Sequence, residues 1–273
     1  MRSPSLATAA REPSPALATA PTVRFRQGRY QVRFARTPDE LDQALRLRFA
    51  VFNVELGEGL RDSVLTGRDE DPFDAQCHHL LVEDVASASV VGTYRLQTSA
   101  MAAAGRGFHT ATEFDLSVLP GPLLAQSVEL GRACIARPHR NTRVLFLLWR
   151  GIGEYARRLG KRWLFGCCSL TSQEPRDGLA LLDHLAARGA LHDGLRVRPR
   201  PGYACLTSVP RAAAPAVAVP RLFDMYLAMG AKVCSEPALD RAFRTIDFLV
   251  LCDLAALGER DRRRFLAPAR TVG

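Results

Sequence analysis

The sequence contains almost no lysine. Of its 37 basic residues only Lys161 and Lys232 are lysines, and the others are arginines. Because this bias most simply reflects GC-rich coding DNA, the net charge of +9 does not by itself indicate nucleic-acid binding. Residues 1–28 hold four arginines against one glutamate, and residues 259–273 hold five arginines against two acidic residues. Basic ends suit an acidic carrier protein, an anionic membrane surface or nucleic acid, and are equally compatible with solvated tails.

Long apolar runs are also missing. No stretch approaches the roughly 20 apolar residues of a membrane-spanning helix, and Arg11 and Glu12 interrupt the N-terminal segment before a signal-peptide core forms. The seven cysteines include no C-x-x-C pair and have no histidine at zinc-ligand spacing. We therefore expect a cytoplasmic protein with reduced cysteines and no metal site, and a peripheral contact with the inner face of the membrane stays open.

Four common catalytic motifs are absent. The chain has no G-x-G-x-x-G after a strand, no P-loop, no G-x-S-x-G and no H-E-x-x-H. These absences exclude the usual dinucleotide enzymes, P-loop NTPases, serine hydrolases and zinc proteases.

Turn signals and apolar patterns predict one folded domain over residues 29–258, after a disordered basic leader (1–28) and before a basic C-terminal tail (259–273). The predicted strands are 30–34, 77–83, 89–97, 127–135, 162–170, 232–234 and 246–252, and the predicted helices are 37–57, 141–159, 177–188 and 220–229. Residues 194–220 are expected to form an irregular insertion. This order predicts a mixed α/β fold, because a strand meander before the central strand argues against a doubly wound parallel sheet.

Several charged residues lie inside otherwise apolar elements. They are Arg48, with Phe52 one turn later on the first helix, Asp71 and Asp74 in DPFD, Arg95 in VVGTYRL, and Glu129 and Arg132 in VELGRACI. Because burying a lone charge is costly, they should pair with one another or with a ligand. Residues three apart on a strand point to opposite faces, so we predict a β-bulge at Gly131 that brings Glu129 and Arg132 to one side. Each charge taken singly also fits an internal ion-pair network.

This set of residues resembles the charged signature of the acyl-homoserine-lactone synthases, a branch of the GNAT acyltransferase fold. The segments DPFDAQCHHLLV, VVGTYRLQ, FHTATEFDLS, VELGRACI, RNTRVLFLLWRGIGEYARRLG and WLFGCCS are more similar to the L-ornithine Nα-acyltransferases of ornithine-lipid synthesis, often labelled hemolysin-like GNAT proteins. The resemblance implies a GNAT-type α/β fold over residues 29–258, with a mixed central sheet flanked by helices. It also implies transfer of a 3-hydroxyacyl chain from acyl carrier protein to the α-amine of ornithine, which gives lyso-ornithine lipid.

The resemblance assigns roles to the charged set. Glu129 is the expected catalytic base, and backbone N–H groups beside Gly131 could bind the oxyanion. Arg132, the second expected catalytic residue, could bind the α-carboxylate of the acceptor together with Arg95. The substrate-binding residues are expected to be Arg48, Phe52, Asp71, Asp74 and Arg95. Two readings of the aspartates stay open: contact with the distal ammonium of ornithine, or an ion pair with Arg48.

Two departures from related families affect the acyl donor and the product. Where GNAT enzymes carry a glycine-rich pyrophosphate loop, residues 140–144 read R-N-T-R-V. The missing glycines weaken acetyl-CoA as donor and favour a carrier-protein 4'-phosphopantetheine thioester as co-substrate, with no tightly bound cofactor. Arg137, Arg140 and Arg143 are then expected to bind the pantetheine phosphate or acidic carrier helices. The tryptophan that lactone synthases carry after the first helix is absent near residues 56–59.

Three alternatives remain. The acceptor could be another amino acid or an amine, or the chain could be an acyl-homoserine-lactone synthase. The third is a catalytically silent GNAT scaffold that binds a membrane or nucleic acid. Glu129 and Arg132, both present, argue against it, and the lack of aromatic residues among the basic ones argues against nucleic acid as a partner.

Overall fold

The computed structural model describes residues 14–206 and 217–267, and in these ranges nine strands form one sheet. The strands are β1 (Arg24–Gln27), β2 (Tyr30–Phe34), β3 (His78–Asp84), β4 (Ser89–Thr98), β5 (Ser127–Ile135), β6 (Trp163–Leu170), β7 (Lys232–Val233), β8 (Ala238–Asp240) and β9 (Thr245–Asp253). Their order is β1-β2-β3-β4-β5-β6-β9-β7, and β8 also pairs with β9. Only β5 and β6 are parallel; the other pairs are antiparallel.

Helices cover both faces of this sheet. They are α1 (Pro15–Thr19), α2 (Pro38–Phe49), α3 (Ser63–Thr66), α4 (Ser99–Ala104), α5 (Gly121–Ala125), α6 (Thr142–Arg158), α7 (Pro175–Ala187), α8 (Arg221–Ala228) and α9 (Glu259–Asp261). Helices α6, α7 and α8 pack on one face, whereas α2 lies on the other, where the segment 108–119 also packs. This arrangement confirms the predicted mixed α/β fold with flanking helices. Within the two described ranges, no helix has the length and apolar character to cross a membrane.

The sheet opens between its two parallel strands. β5 and β6 pair only over Ser127–Glu129 and Trp163–Phe165, although both strands continue beyond these residues. On its other edge β5 carries a bulge, where Arg132 and Ala133 lie opposite Tyr94 alone. Arg132 has φ = 51°, a left-handed conformation that is unusual outside glycine. The bulge predicted at Gly131 is confirmed, one residue further along the strand.

The leader prediction is wrong for residues 14–28. Leu17 of α1 is buried against the inner face of α2, and β1 continues the sheet beyond β2. The turn between the two strands places Gly28 at φ = 61°, where glycine is unstrained. The segment Val23–Gln27 alternates apolar and polar residues, a strand signal that its proline- and alanine-rich surroundings obscured. Residues 1–13 lie outside the described ranges.

The C-terminal tail is folded as far as Leu266. After α9, the π-helical turn Arg262–Leu266 packs on α6 and buries the Phe265 ring against Trp149. The apolar contact of Phe265 with α6 therefore holds this part of the tail against the domain although the tail is strongly basic. Of the insertion predicted over residues 194–220, residues 207–216 lie outside the described ranges.

Candidate active site

A cavity of about 350 Å³ lies where β5 and β6 diverge. It passes between the strands, so residues from both faces of the sheet line it. Its polar part is lined by Arg95, His109, Glu113, Glu129, Arg132 and Asp247, and its apolar part by Trp149, Ile152, Leu222, Tyr226, Met229 and Phe265. Gly166 stands at the divergence, and a Cβ atom there would overlap the carbonyl oxygen of Leu130. The cavity can therefore hold a molecule with a charged end and an apolar end.

Glu129 lies on β5 at the last residue pair before the strands separate. Its carboxylate accepts hydrogen bonds from the backbone N–H of Thr110 at 2.7 Å and of His109 at 3.1 Å, and a third from the side-chain amide of Gln97. The side chain is buried, 5% exposed. Because a carboxylate offers about four lone-pair positions, these three bonds leave one position unused, and the residue lines the cavity.

Two arginines of the charged set line the cavity and share an aspartate. Arg95 Nη1 lies 2.6 Å from Asp71 Oδ1 and 3.0 Å from Asp74 Oδ1. Arg132 Nη2 lies 2.8 Å from Asp71 Oδ2, and the Arg132 Nε atom lies 3.5 Å from Asp69 Oδ1. Burial alone would raise the pKa of Asp71, but the charges of Arg95 and Arg132 lower it to about 2. Asp71 is therefore ionised at neutral pH.

Arg48, Asp71 and Asp74 lie outside the lining of the cavity. Contrary to the expectation from the sequence, these three side chains are not placed to contact a ligand in the cavity. Arg48 is fully buried and binds Asp74 at 2.6 Å and Asp69 at 2.9 Å. Asp69 was not singled out from the sequence. For Asp74 the second reading, an ion pair with Arg48, is confirmed, and the charges of Arg48 and Arg95 overcome burial to hold its pKa well below the usual range.

Phe52 lines the cavity, as expected for a substrate-contacting residue. It sits on the π-helical turn Ala50–Glu55 that continues α2, and its ring makes an edge-to-face contact with Phe243, with centroids 5.3 Å apart. The Arg132 guanidinium lies over the same Phe243 ring, 4.4 Å from its centroid. A cation–π contact at this distance fixes the guanidinium beside the cavity.

The three arginines expected to bind the acyl donor lie outside the cavity, on the surface at the start of α6. Arg137 and Arg143 are exposed. Arg140 is also exposed but binds both carboxylate oxygens of Glu55 and the carbonyl oxygen of Ile135. The side chain of Asn141, not a glycine-rich loop, caps α6 by accepting from the Val144 N–H.

The cavity also holds two buried carboxylates that the sequence did not lead us to predict. Glu113 follows the 3₁₀ turn His109–Thr112, and Asp247 lies on β9. One ligand atom of each lies within 4.8 Å of the other and of the Cys167 sulfur, the one three-residue group with the spacing for a metal ion in the described ranges. Burial raises the pKa of Asp247, and burial together with the nearby Asp247 charge raises that of Glu113. Asp247 is a lone charge in the apolar strand TIDFLVL, and the same criterion, a charge inside an apolar strand, identified Arg95. The criterion could therefore have identified Asp247. It could not have identified Glu113, which does not lie in such a strand.

The chain is similar to several known proteins. Residues 47–150 match the family described as Acetyltransferase (GNAT) domain. The chain is 32% identical to an L-ornithine N(alpha)-acyltransferase of Rhizobium meliloti (strain 1021), covering 87% of each chain. It is 32% identical to the protein of the same name from Brucella abortus (strain 2308), covering 86% of this chain and 88% of the relative. Among solved structures, the AHL synthase LasI superposes with a TM-score of 0.47 at 11% identity, covering 90% of this chain and all of that one.

The alignment with the Rhizobium meliloti relative covers 87% of the chain, and the GNAT match includes the bulged strand β5 and the first half of α6. The chain therefore belongs to the L-ornithine N(alpha)-acyltransferase family of GNAT proteins, and it is an acyltransferase.

Proposed function

We propose that this acyltransferase moves a 3-hydroxyacyl chain from the pantetheine thioester of acyl carrier protein to the α-amine of L-ornithine, which yields lyso-ornithine lipid. The names of the relatives support ornithine as acceptor. The observation that carries the proposal is the two-ended cavity, whose charged and apolar parts meet beside Glu129.

The acyl chain would occupy the apolar part of the cavity, on the α6 face of the sheet. Trp149 and Ile152 of α6 and Tyr226 of α8 form its walls, and Phe265 of the C-terminal turn closes its end. Burying an acyl chain among these side chains contributes about 0.8 kcal/mol per methylene. The thioester carbonyl would then lie between the diverging strands, and backbone N–H groups at the bulge of Arg132 and Ala133 would bind the developing oxyanion.

Aminolysis requires an uncharged amine. Glu129, through its open lone-pair position or a bridging water, would take a proton from the α-ammonium. The amine nitrogen then attacks the thioester carbon, the C–N bond forms, and the C–S bond breaks as the tetrahedral intermediate collapses. The second proton of the nitrogen leaves with the pantetheine thiolate, which departs as the thiol.

Arg132 is suited to bind the α-carboxylate of the acceptor. Its guanidinium lines the cavity, with Nη2 bound to Asp71 at 2.8 Å and Nε 3.5 Å from Asp69. A carboxylate would bind end-on, to Nη1 and the second N–H of Nη2. Arg95 would stabilise this carboxylate through its charge and not through a hydrogen bond from Nη1, because Nη1 already donates to Asp71 and Asp74.

The carrier protein would dock at the start of α6. Arg137 and Arg143 are exposed there, and a neighbouring groove is lined by Arg143, Arg150 and Arg264. Acidic carrier helices complement this surface, and docking there would bring the pantetheine arm to the β5–β6 opening. An anionic membrane is the competing partner for the same arginines, and vesicle sedimentation with and without carrier protein distinguishes the two.

The test is thiol release from 3-hydroxyacyl carrier protein, with the matching acyl-CoA as control donor. The acceptors are ornithine, lysine, glycine and S-adenosylmethionine, with products identified by mass spectrometry. We expect release with ornithine on the carrier-protein thioester and little on CoA. Thiol release with S-adenosylmethionine alone would support lactone synthesis. No thiol release with any acceptor would support a catalytically inactive GNAT scaffold.

A further inference from the structure

The buried carboxylates in and around the cavity differ in how many cationic side chains bind them. Asp71 and Asp74, outside the lining, are each bound by two arginines. Glu113 and Asp247, which line the cavity, have no arginine or lysine within ion-pair distance in the described ranges, although both side chains are nearly fully buried. The basic groups near them are His109, whose Nδ1 lies 3.9 Å from Glu113 Oε1, and Arg132, whose charge acts on Glu113 from beyond ion-pair distance and which is itself paired with Asp71. Burial holds the pKa of His109 well below its usual range, so this ring is neutral.

A second observation points to a ligand. Asp247 is 4% exposed, lines the cavity, and its Oδ1 atom has no hydrogen-bond partner among the described residues. An acceptor atom left unpaired in a buried site destabilises the fold, and more so when it is charged. Burial and the Asp247 charge raise the pKa of Glu113 and favour its protonated form, so the pair holds one negative charge and not two. A donor with positive charge entering the cavity would bind Oδ1 and balance that charge.

We propose that Glu113 and Asp247 form the subsite that binds the side-chain ammonium of the acceptor, and so select diamino acids over neutral amino acids. This inference rests on the proposed function. It replaces the open expectation that Asp71 or Asp74 holds that ammonium, since both are taken up by arginines and lie outside the lining.

The position of the pair fits the length of such an acceptor. Cys167, which groups with both carboxylates, lies two residues beyond Phe165, the register partner of Glu129. Two residues along a strand span about 7 Å, which is comparable to the reach of the extended ornithine side chain. Arg132 at one pole would bind the α-carboxylate, Glu129 would face the α-amine, and Glu113 and Asp247 would bind the distal ammonium.

The experiment compares ornithine with norvaline, which has the same carbon chain without the second amine. Values of kcat/KM are measured for the wild-type chain, Asp247→Asn and Glu113→Gln, using one acyl carrier protein thioester. We expect each variant to lose about 10- to 100-fold toward ornithine, as for a lost charge-assisted hydrogen bond, and to change less than about threefold toward norvaline. Asp253→Asn is the matched control, because Asp253 lies on the same strand, pairs with Arg162 and is outside the cavity.

Each other outcome overturns the inference in a recognisable way. If both variants fold, as judged by thermal unfolding, and keep the wild-type preference for ornithine, the ammonium binds elsewhere. If the wild-type chain uses norvaline as well as ornithine, acyl transfer stands and the subsite does not. If a chelator removes the preference and Zn²⁺ restores it, the cluster is a metal site. Transfer to no amine at all contradicts the proposed function itself. Should either variant fail to fold, equal binding of ornithine and norvaline to the wild-type chain in calorimetry would overturn the inference.

Discussion

Arg48 and Asp74 are joined by two hydrogen bonds, Nη1–Oδ1 at 2.6 Å and Nη2–Oδ2 at 3.2 Å, with both side chains buried. The same Asp74 also accepts from Arg95, which reaches the cavity. A continuous ion-pair network therefore connects the core of α2 to the polar part of the cavity. It fixes the loop that follows α3, and with it Arg95 and Arg132, which line the cavity.

Replacing Arg48 tests whether this network stabilises the fold. Arg48→Ala leaves Asp69 and Asp74 as buried charges with one partner fewer each, and we expect it to lower the free energy of unfolding by about 3–5 kcal/mol. Urea unfolding monitored by circular dichroism measures the change. Arg46→Ala on the same helix is the control, because its exposed pair with Asp42 contributes less than about 1 kcal/mol. Equal losses in the two variants would contradict the network.

Acid should weaken the fold through two buried histidines. Burial lowers the pKa of His78 and of His79 to about 4, from 6.5. Both rings are therefore neutral in the folded state between these values, whereas the unfolded chain binds protons. Their stabilising contribution is complete above about pH 6.5 and is lost as the pH falls toward 4. The raised pKa of Glu113 acts in the opposite direction, so the effect of one histidine must be isolated by a variant.

The His78→Gln variant isolates it. His78 contacts Tyr155 Oη at 2.9 Å, and glutamine retains a polar group at that site without titrating. The pH dependence of urea unfolding between pH 6.5 and 4.5 should become shallower by up to about 1.4 kcal/mol per pH unit, the slope of one proton. Parallel curves for the two chains would show that His78 does not titrate as its burial requires.

The C-terminal turn should loosen when α6 gains a side chain at Gly153. A Cβ atom there would overlap the carbonyl oxygen of Phe265. Overpacking of this kind costs about 1–3 kcal/mol, so Gly153→Ala should raise trypsin cleavage within Arg262–Arg264 by about 10- to 100-fold. Gly121→Ala is the control, because a Cβ atom at that residue has open space around it. Unchanged cleavage in Gly153→Ala would mean that the turn does not depend on this contact.

Docking of the carrier protein should depend on Arg143. Charge reversal by Arg143→Glu should raise the KM for acyl carrier protein about fivefold, a penalty on the order of 1 kcal/mol, more at low salt than at high salt. The KM for an acyl-pantetheine thioester, which lacks the carrier, should stay the same. Arg176→Glu, an exposed position at the start of α7, is the matched control. A rise for both donors would place Arg143 against pantetheine and not against the carrier.

The sequence predicted much of the fold, and the residues show why it did not predict all of it. The predicted bounds of α6 and α7 were right to within two residues, and those of β5 were right at both ends. Long amphipathic or apolar segments show a clear hydrophobic periodicity, which makes their secondary structure predictable. The strand β8 is three residues long and carries no such period. In the N-terminal segment, Leu17 belongs to no recognisable pattern until α2, which buries it, is known, and the proline- and alanine-rich surroundings obscure the alternation at residues 23–27.

The candidate site divides in the same way. The cost of burying a lone charge identified Arg95, Glu129 and Arg132, and the structure brings all three to one cavity. The rule could not tell a charge that faces a ligand from one, like Arg48, that is paired within the core. That distinction depends on tertiary contacts, here those made by Asp69 and Asp74.

The most direct test of the account is the rate of acyl transfer from 3-hydroxyacyl carrier protein to ornithine in the wild-type chain and in Glu129→Gln. The substitution keeps the size of the side chain and, with the amide oxygen in place of Oε2, the bonds from His109 N–H and Gln97, but it gives up the bond from Thr110 N–H and removes the base. With folding verified by thermal unfolding, we predict a fall in kcat of about 100-fold or more, the usual contribution of general-base catalysis, and unchanged affinity for the carrier protein. A rate within threefold of the wild-type value would contradict the account, because Glu129 would then only anchor the turn at His109 and Thr110.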